Sequence, residues 1–302
     1  MNVIVYFICL GIGSIIIARA CDGFEYAADY LGRNMSDGVK GATINAIGSS
    51  MPEFFITFIY LFLFHDTTGF SGGIGATAGS AVFNIMIIPA LVILAVHFKG
   101  GKKSIQIDRH VLFRDGLALV LAELILIIYL DKVLQWKQGL ILIILYLVYL
   151  AYIMNSQFKV KKDKKHESPG LQNTELKQPE HDHEAEFQQY RDIKLARINR
   201  FLALCRLDLK DMVIGSFEIN TITGVILLSV SGVVIAAGCW VLVYACEGIS
   251  NYLQVPGYFT AVILAAAASS LPDTILSVKD GCKGNYNDAF SNAIGSNLFD
   301  IC

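Results

Sequence analysis

Long apolar stretches separated by short polar segments dominate the chain. Hydropathy predicts eight membrane-spanning helices, most of them near the length of about twenty residues that crosses the hydrocarbon of a bilayer. Their expected bounds are Asn2–Arg19, Gly41–Phe64, Ile74–His97, Val111–Leu130, Leu134–Met154, Ile219–Ala245, Tyr258–Val278 and Ala289–Cys302. The last stretch has fourteen residues, too few at about 1.5 Å each to cross a bilayer, so we expect a fragment or a truncated protein.

Charged residues are few, and this excludes an ordinary soluble domain. The 302 residues have a mean hydropathy of +0.54 and 17% charged side chains, against about 25% in soluble domains. The net charge of −2 gives no reason to expect a nucleic-acid partner. The seven cysteines lack the spacing of a metal site, so packing is their expected role. Composition therefore predicts an all-α polytopic membrane protein.

Basic residues predict the topology. Clusters of lysine and arginine follow the third and fifth predicted spans, at 99–114 and 159–165, whereas the links after the second, fourth and sixth spans are nearly free of them. The positive-inside rule then places both basic loops in the cytoplasm and the N-terminus outside. Because both loops fall on the same side of the membrane, the predicted number of spans is consistent with this orientation.

A hydrophilic linker, residues 155–211, divides the chain. It separates a first repeat of five helices, residues 1–154, from a second repeat, residues 212–302, with three helices of which the last is incomplete. We expect the linker to be cytoplasmic and its part Phe187–Leu207 to form a basic amphipathic helix on the inner leaflet, with a solvated charge run as the alternative. The acidic and histidine cluster His181–Glu184 is interpreted as a solvated loop rather than a metal site.

Two short motifs occur twice in the sequence. Residues 46–53 read Ala-Ile-Gly-Ser-Ser-Met-Pro-Glu, and residues 266–273 read Ala-Ala-Ala-Ser-Ser-Leu-Pro-Asp. Residues 79–84 read Gly-Ser-Ala-Val-Phe-Asn, and residues 295–300 read Gly-Ser-Asn-Leu-Phe-Asp. Because an odd number of spans precedes the linker, the second copy has the opposite orientation. Inverted repeats whose interrupted helices meet at the membrane midplane are typical of transporters.

The repeated motifs predict a cation site. A carboxylate at membrane depth is costly, so we expect Glu53 and Asp273 to face each other inside the bundle. Pro52 and Pro272 each remove a helical hydrogen bond, which we expect to free backbone oxygens near Ala46, Ser49, Ala266 and Ser269. The remaining predicted oxygen ligands are Ser49, Ser50, Ser80, Ser269, Ser270, Ser296, Asn84, Asp300 and the carbonyls of Ala46 and Ala266. A set of oxygens without histidine or cysteine favours Ca²⁺ and Na⁺ over zinc or copper.

These motifs resemble those of the cation/calcium exchanger superfamily, which includes sodium/calcium and potassium-dependent sodium/calcium exchangers. The resemblance covers residues 37–97 and 215–302, and it implies two inverted repeats of five helices and electrogenic antiport by alternating access. By this resemblance Glu53 and Asp273 are calcium ligands, and Asn84 and Asp300 flank the centre. The resemblance also implies sodium ligands at Ser50, Ser80, Ser270 and Ser296 and at the carbonyls of Ala46 and Ala266. The pair Asp273 and Asp300 resembles the potassium-dependent branch.

The predicted function is a sodium/calcium antiporter that exports Ca²⁺ across the cell membrane, with the lipid bilayer as its surroundings. It is expected not to be an enzyme and to hold no cofactor. Calcium/proton exchange, potassium-dependent exchange and a truncated partner that does not transport remain alternatives. The serine hydroxyls favour sodium, because protons need no extra oxygen ligands. Intramembrane aspartyl proteolysis also uses two acids, but it does not explain the duplicated motifs.

Asp300 raises a question of charge balance, since the matching residue of the first repeat is the neutral Asn84. A third acid beside one Ca²⁺ leaves an excess negative charge at membrane depth. The sequence predicts that either a proton or a bound K⁺ neutralises this charge, and both alternatives stay open.

Overall fold

A computed structural model describes residues 3–33, 39, 42–43, 46–63, 67–100, 105–129, 136–166, 208–214 and 219–302. The regular elements within these ranges are helices, with no strand among them. The first repeat contains α1 (Val3–Leu31), α2 (Ala46–Ser49), α3 (Met51–Leu63), α4 (Thr67–Val82), α5 (Ile88–Gly100), α6 (Arg109–Tyr129) and α7 (Trp136–His166). The second part contains α8 (Leu209–Val213), α9 (Thr221–Leu253), α10 (Gly257–Thr260), α11 (Ala266–Ser269), α12 (Leu271–Lys283) and α13 (Tyr286–Ile301). The amphipathic helix predicted at 187–207 and the cluster at 181–184 lie outside the described residues.

Two five-residue π-helical segments interrupt the longer helices, and residues 42–43 are also π-helical among the described residues. Phe83–Ile87 joins α4 to α5, and Ala261–Ala265 joins α10 to α11. Single π-helical turns of this kind occur mostly inside α-helices and are frequent at functional sites. The first of them contains Asn84, and the second directly precedes the duplicated motif at Ala266.

The outer surface of the bundle is apolar. Among the described residues, five helical stretches are long and apolar enough to cross a membrane: Val3–Leu31, Ser71–Lys99, Trp136–Asn155, Thr221–Leu253 and Gly257–Lys283. Large apolar side chains along the helices point outward, including Phe98, Phe113, Ile128, Trp136 and Ile222, each more than 70% exposed. Apolar surface on this scale is found where a protein faces lipid. The chain is an integral, multi-pass membrane protein.

The other predicted spans are shorter or more polar than these five. The second span is broken into α2 and α3 at Ser50, and α13 has 16 residues. Helix α6 includes Arg114 and Asp115, which lower its hydropathy. Each of these helices is therefore less able to cross a membrane on its own than the five stretches above.

The predicted end of the first span at Arg19 is wrong. Helix α1 continues to Leu31 because small residues on one face, among them Gly23, Ala27 and Ala28, let it pack closely along α9. Hydropathy falls after Arg19, but helical structure persists because this face is buried. The largest apolar cluster of the described residues lies between α1, α3 and α9, around Ile17, Ile56 and Leu242.

Two glycines bring the repeats together. A Cβ atom added to Gly79 would lie 2.6 Å from the Cβ of Ala266, and one added to Gly295 would lie 3.0 Å from the Cβ of Ala46. Helix α4 of the first repeat therefore contacts the broken helix of the second repeat, and α13 contacts the broken helix of the first. These close contacts explain the glycine of the Gly-Ser-x-x-Phe-Asx motif, because any side chain there would collide with the other repeat. They also place the serine that follows the glycine beside the helix break of the other repeat.

Candidate cation site

The duplicated Ser-Ser-x-Pro-acid motifs each break a helix. Helix α2 ends at Ser49 and α3 begins at Met51, and in the second repeat α11 ends at Ser269 and α12 begins at Leu271. The break at Ser270 has φ −78° and ψ 0°, outside the helical region. The two acids lie in the first turn of α3 and α12. A helix N-terminus carries positive partial charge, which stabilises a carboxylate at these positions.

The predicted release of the Ala46 and Ala266 carbonyls by the prolines is wrong. The backbone N–H of Ser50 donates to Ala46 O at 3.0 Å, and that of Ser270 donates to Ala266 O at 3.0 Å. A proline removes the bond to the carbonyl four residues earlier, and for Pro52 this carbonyl belongs to Gly48. Each oxygen also accepts from a serine hydroxyl of its own helix, Ala46 O from Ser49 Oγ at 3.4 Å and Ala266 O from Ser269 Oγ at 3.2 Å.

The Glu53 carboxylate is shared between the two repeats. Glu53 is buried, and the hydroxyl of Ser80 donates to its Oε1 at 2.9 Å. The hydroxyl oxygens of Ser80 and Ser270 are 2.9 Å apart. A serine of the second repeat thus contacts the serine that binds the acid of the first.

The Asp273 carboxylate lies in the same cluster and is equally buried. Ser296 Oγ donates to Asp273 Oδ1 at 2.8 Å, and Asn84 Nδ2 lies 3.4 Å from Oδ2. The same Asn84 nitrogen lies 3.5 Å from Ser80 Oγ. The side chains of Ser80 and Asn84 therefore connect the two acids, as expected if the motifs of opposite repeats face each other.

The outer serines of the two motifs differ in their contacts. Ser49 Oγ lies 3.4 Å from Ser296 Oγ, so it reaches the Asp273 side of the cluster. Ser269 Oγ donates to Ala266 O at 3.2 Å, within its own helix. Ser49 Oγ also lies 3.4 Å from Ala46 O of its own helix, and Ser269 also interacts with the Glu53 carboxylate. Each outer serine therefore contacts its own backbone and one acid, Asp273 for Ser49 and Glu53 for Ser269.

Several oxygens of this cluster are shielded from solvent but have no hydrogen-bond partner among the described residues. They are Ser50 Oγ, Glu53 Oε2, Asn84 Oδ1 and both carboxylate oxygens of Asp300. A buried polar group without a partner costs about 1–3 kcal/mol, and more when it is charged. Carboxylate, hydroxyl and amide oxygens are the kinds of ligand that hard cations bind.

A cavity borders the cluster on one side. Its volume is about 340 Å³, and its lining includes Glu53, Asp300, Thr57 and Thr77. Among the described residues, no three histidine, cysteine, aspartate or glutamate side chains converge on one point as a metal site requires. The oxygen set therefore combines carboxylates with hydroxyls and amides, and Asp300 lines the cavity together with Glu53.

Sequence reasoning missed two polar residues of the cluster, Asn292 and Ser277. Both are fully buried, and Asn292 Nδ2 donates to Asp273 Oδ1 at 3.3 Å. Asn292 lies four residues before Ser296, and Ser277 lies four residues after Asp273. Since residues four apart share one face of a helix, this spacing is the signal that could have identified them.

One protein family matches most of the chain. Residues 5–155 and 223–302 match the model of the sodium/calcium exchanger protein family. The chain belongs to this family. The match includes both Ser-Ser-x-Pro-acid motifs and both Gly-Ser-x-x-Phe-Asx motifs, so every residue of the acid cluster lies within it.

Curated relatives of this exchanger family align with about half of the chain. Sodium/potassium/calcium exchanger 2 of Rattus norvegicus is 33% identical over 154 residues, which are 49% of this chain and 21% of that protein. Sodium/potassium/calcium exchanger 4 of Homo sapiens is 34% identical over 151 residues, 48% of this chain and 22% of that protein. The matched segment thus spans about a fifth of the length of these relatives.

Solved structures of a family member have the same fold. Structures of the sodium-calcium exchanger NCX_Mj match with TM-scores of 0.55 and 0.57 at 21% and 20% identity. Each comparison covers 99% of this chain and 80% of the other. The all-helical architecture with inverted repeats is therefore that of the exchanger fold.

Proposed function

We propose that this protein is a sodium/calcium antiporter that exports Ca²⁺ in exchange for Na⁺ at the acid cluster around Glu53 and Asp273. The observation that carries the proposal is the group of shielded oxygens without partners, at Ser50, Glu53, Asn84 and Asp300. Oxygen ligands with carboxylate charge are those that Ca²⁺ and Na⁺ accept. The protein then acts as a transporter and not as an enzyme.

Competition for one site would couple the two ions. The carboxylates of Glu53 and Asp273 can be neutralised by one Ca²⁺ or by Na⁺ ions, but not by both at once. The exchange of bound Ca²⁺ for Na⁺ then needs only alternating access to the cluster, which inverted repeats support. Coupling between the two ions then requires no second site that acts on the first over a distance.

The accessible side of the cluster would be the external side. With the N-terminus outside, α3 runs outward from Glu53, so Thr57 and the cavity lie towards the exterior. On the opposite side Ser277 and Asn292 are fully buried. This arrangement supports an outward-facing state of a protein that we place in the plasma membrane, with the linker 155–211 in the cytoplasm.

Potassium-dependent exchange is the second candidate. Two observations favour it: the curated relatives named above are sodium/potassium/calcium exchangers, and both oxygens of Asp300 are shielded without a partner among the described residues. A monovalent cation or a proton at Asp300 would neutralise the third acid. Calcium/proton exchange is less well supported, because it gives no role to the hydroxyls of Ser50 and Ser80.

The test is uptake of radioactive calcium by the purified protein in liposomes. Uptake should follow an outward sodium gradient and should be absent from empty liposomes and from liposomes with equal sodium on both sides. Uptake driven equally well by a pH gradient without sodium would contradict sodium coupling.

The same assay with and without K⁺ tests the role of Asp300. We expect Asp300→Asn to keep sodium-driven calcium uptake and to lose any stimulation by K⁺, because the substitution removes the charge that K⁺ would balance. A variant that is inactive with and without K⁺ would instead make Asp300 a direct ligand of calcium or sodium.

A further inference from the structure

All hydrogen-bonding groups of the buried Asn292 side-chain amide have partners. Its Nδ2 donates to Asp273 Oδ1 at 3.3 Å and to Ser277 Oγ at 3.1 Å, and its Oδ1 accepts from Ser49 Oγ at 3.3 Å. An ionised carboxylate can only accept, so the nitrogen of the amide must be the atom that faces Asp273. Both donors and the acceptor oxygen of Asn292 are therefore engaged. One side chain of α13 joins the acid of α12 to the break at the end of α2.

The first repeat has no equivalent of this amide. Asn292 lies four residues before Ser296, and the residue four before Ser80 is Ala76. Thr57 matches Ser277 in position, but its hydroxyl lies 3.4 Å from that of Thr77 instead of being linked to an amide that binds the acid. The duplicated motifs thus have unequal surroundings one helical turn away from the two acids.

The two carboxylates are held unequally as a result. Asp273 accepts from Ser296 and Asn292 at Oδ1 and from Asn84 at Oδ2, so both of its oxygens are oriented by donors. Glu53 accepts from Ser80 at Oε1, while its Oε2 has no partner among the described residues. Glutamate also has one more rotatable bond than aspartate, and so the Glu53 carboxylate has more freedom to turn.

We propose that Asn292 is a positioning residue that fixes the Asp273 carboxylate as the constant half of the cation site. Glu53 is then the acid that reorients when one Ca²⁺ replaces Na⁺. Ca²⁺ needs both carboxylates in place, whereas Na⁺ relies more on hydroxyl and carbonyl oxygens. Removal of Asn292 therefore weakens Ca²⁺ binding more than Na⁺ binding. This inference rests on the proposed function.

The test measures binding of each ion by the purified protein. Apparent dissociation constants for Ca²⁺ and Na⁺ come from the ion-dependent shift of thermal unfolding in detergent, with Asn292→Ala and Asn292→Leu compared with the wild type. Loss of a residue that orients a metal ligand lowers affinity about 10- to 100-fold. We expect a loss of this size for Ca²⁺ and a smaller loss for Na⁺ in both variants.

The Asn292→Leu variant and a control at Ser291 distinguish a positioning role of Asn292 from a packing role. Leucine restores the volume that alanine removes, so a packing role predicts recovery in Asn292→Leu, whereas a positioning role predicts none. Ser291→Ala is the matched control, because Ser291 is buried on the same helix but donates to Asp115 Oδ2 at 2.8 Å, not to an acid of the cation site. It should leave the ratio of the two ion affinities unchanged.

The outcomes distinguish this inference from the proposed function. A wild type that shows no calcium-dependent shift contradicts the proposed function itself. A wild type that binds both ions, with Asn292 variants that keep the same affinity ratio or recover in Asn292→Leu, overturns the inference alone. If Asn292→Leu does not fold, Ser277→Ala serves as the second variant. It removes one bond of the amide and should show a smaller change of the same sign, and no change would overturn the inference.

Discussion

At the scale of single residues, the serines of the two motifs differ although their sequences match. Ser50 Oγ is shielded and has no partner among the described residues, whereas Ser270 Oγ lies 2.9 Å from Ser80 Oγ. Removal of the Ser50 hydroxyl therefore leaves the described hydrogen bonds of Glu53 and Asp273 in place and affects only the neighbouring Asp300. Removal of the Ser270 hydroxyl also disturbs the serine that binds Glu53. Of the two substitutions, Ser50→Ala is the clearer probe of ion binding.

We expect Ser50→Ala to lower the apparent affinity for Na⁺ more than that for Ca²⁺. The substitution removes one neutral oxygen and leaves the carboxylates that dominate calcium binding. The measurement is the dependence of calcium uptake on the concentration of each ion. Ser229→Ala is the control, because Ser229 is exposed and donates only to Val225 O of its own helix. Equal losses of both affinities would assign Ser50 to the helix break instead.

The acids and serines of the site could be predicted from sequence because the motifs are duplicated. The duplication does not signal Asn292, because its counterpart in the first repeat is Ala76, and only its spacing of four residues from Ser296 could have indicated it. The buried Asp115 was also missed. It accepts from Arg114, Tyr149 and Ser291, which belong to three different helices, and such a contact depends on tertiary packing.

At the scale of helices, close packing at Gly79 positions Ser80. A Cβ on Gly79 would meet the Val262 carbonyl oxygen and would lie 2.6 Å from the Cβ of Ala266. Both of these atoms lie on the broken helix of the second repeat, where neither can move aside without shifting the backbone. The closeness of α4 to α11 therefore depends on the absence of a side chain at this position.

We expect Gly79→Ala to reduce both the folded stability and calcium transport. Overpacking of a close contact costs about 1–3 kcal/mol, and here it also displaces Ser80 from Glu53. Gly116→Ala is the matched control, because an added Cβ at Gly116 of α6 meets no atom within 4 Å. Thermal unfolding and calcium uptake of the two variants check this prediction. An unchanged Gly79→Ala protein would contradict the close approach of the helices.

Helix ends were harder to predict than helix positions. Hydropathy ends the first span at Arg19 because Asp22 and Glu25 follow, yet α1 extends to Leu31. Asp22 forms an ion pair with Lys279 of α12 at 2.7 Å, and Glu25 lies 3.8 Å from the same lysine. A partner more than 250 residues away in sequence thus accommodates charges that hydropathy places outside the membrane.

At the scale of the whole molecule, the inverted relation of the repeats depends on the topology. The basic residues at 159–165 follow the fifth predicted span, and the repeats are inverted only if each repeat has an odd number of spans. Gly79 of the first repeat contacts Ala266 of the second, and Gly295 of the second contacts Ala46 of the first. These reciprocal contacts agree with an inverted relation of the two repeats.

We expect a cysteine placed within Lys159–His166 to be reachable only from the cytoplasm. The positive-inside rule places this basic stretch on that side. A membrane-impermeant thiol reagent should label it in inside-out vesicles and not in intact cells, in a background without native cysteines. Labelling of intact cells would overturn the topology.

The most direct test of the account is calcium flux in variants of the two central acids. Glu53→Gln and Asp273→Asn keep the size of each side chain but remove its charge, so the cluster loses its main attraction for Ca²⁺. In liposomes with a sodium gradient, either variant should abolish calcium uptake while the protein is expressed normally. Uptake near the wild-type rate in either variant would contradict the assignment of the cation site to these carboxylates.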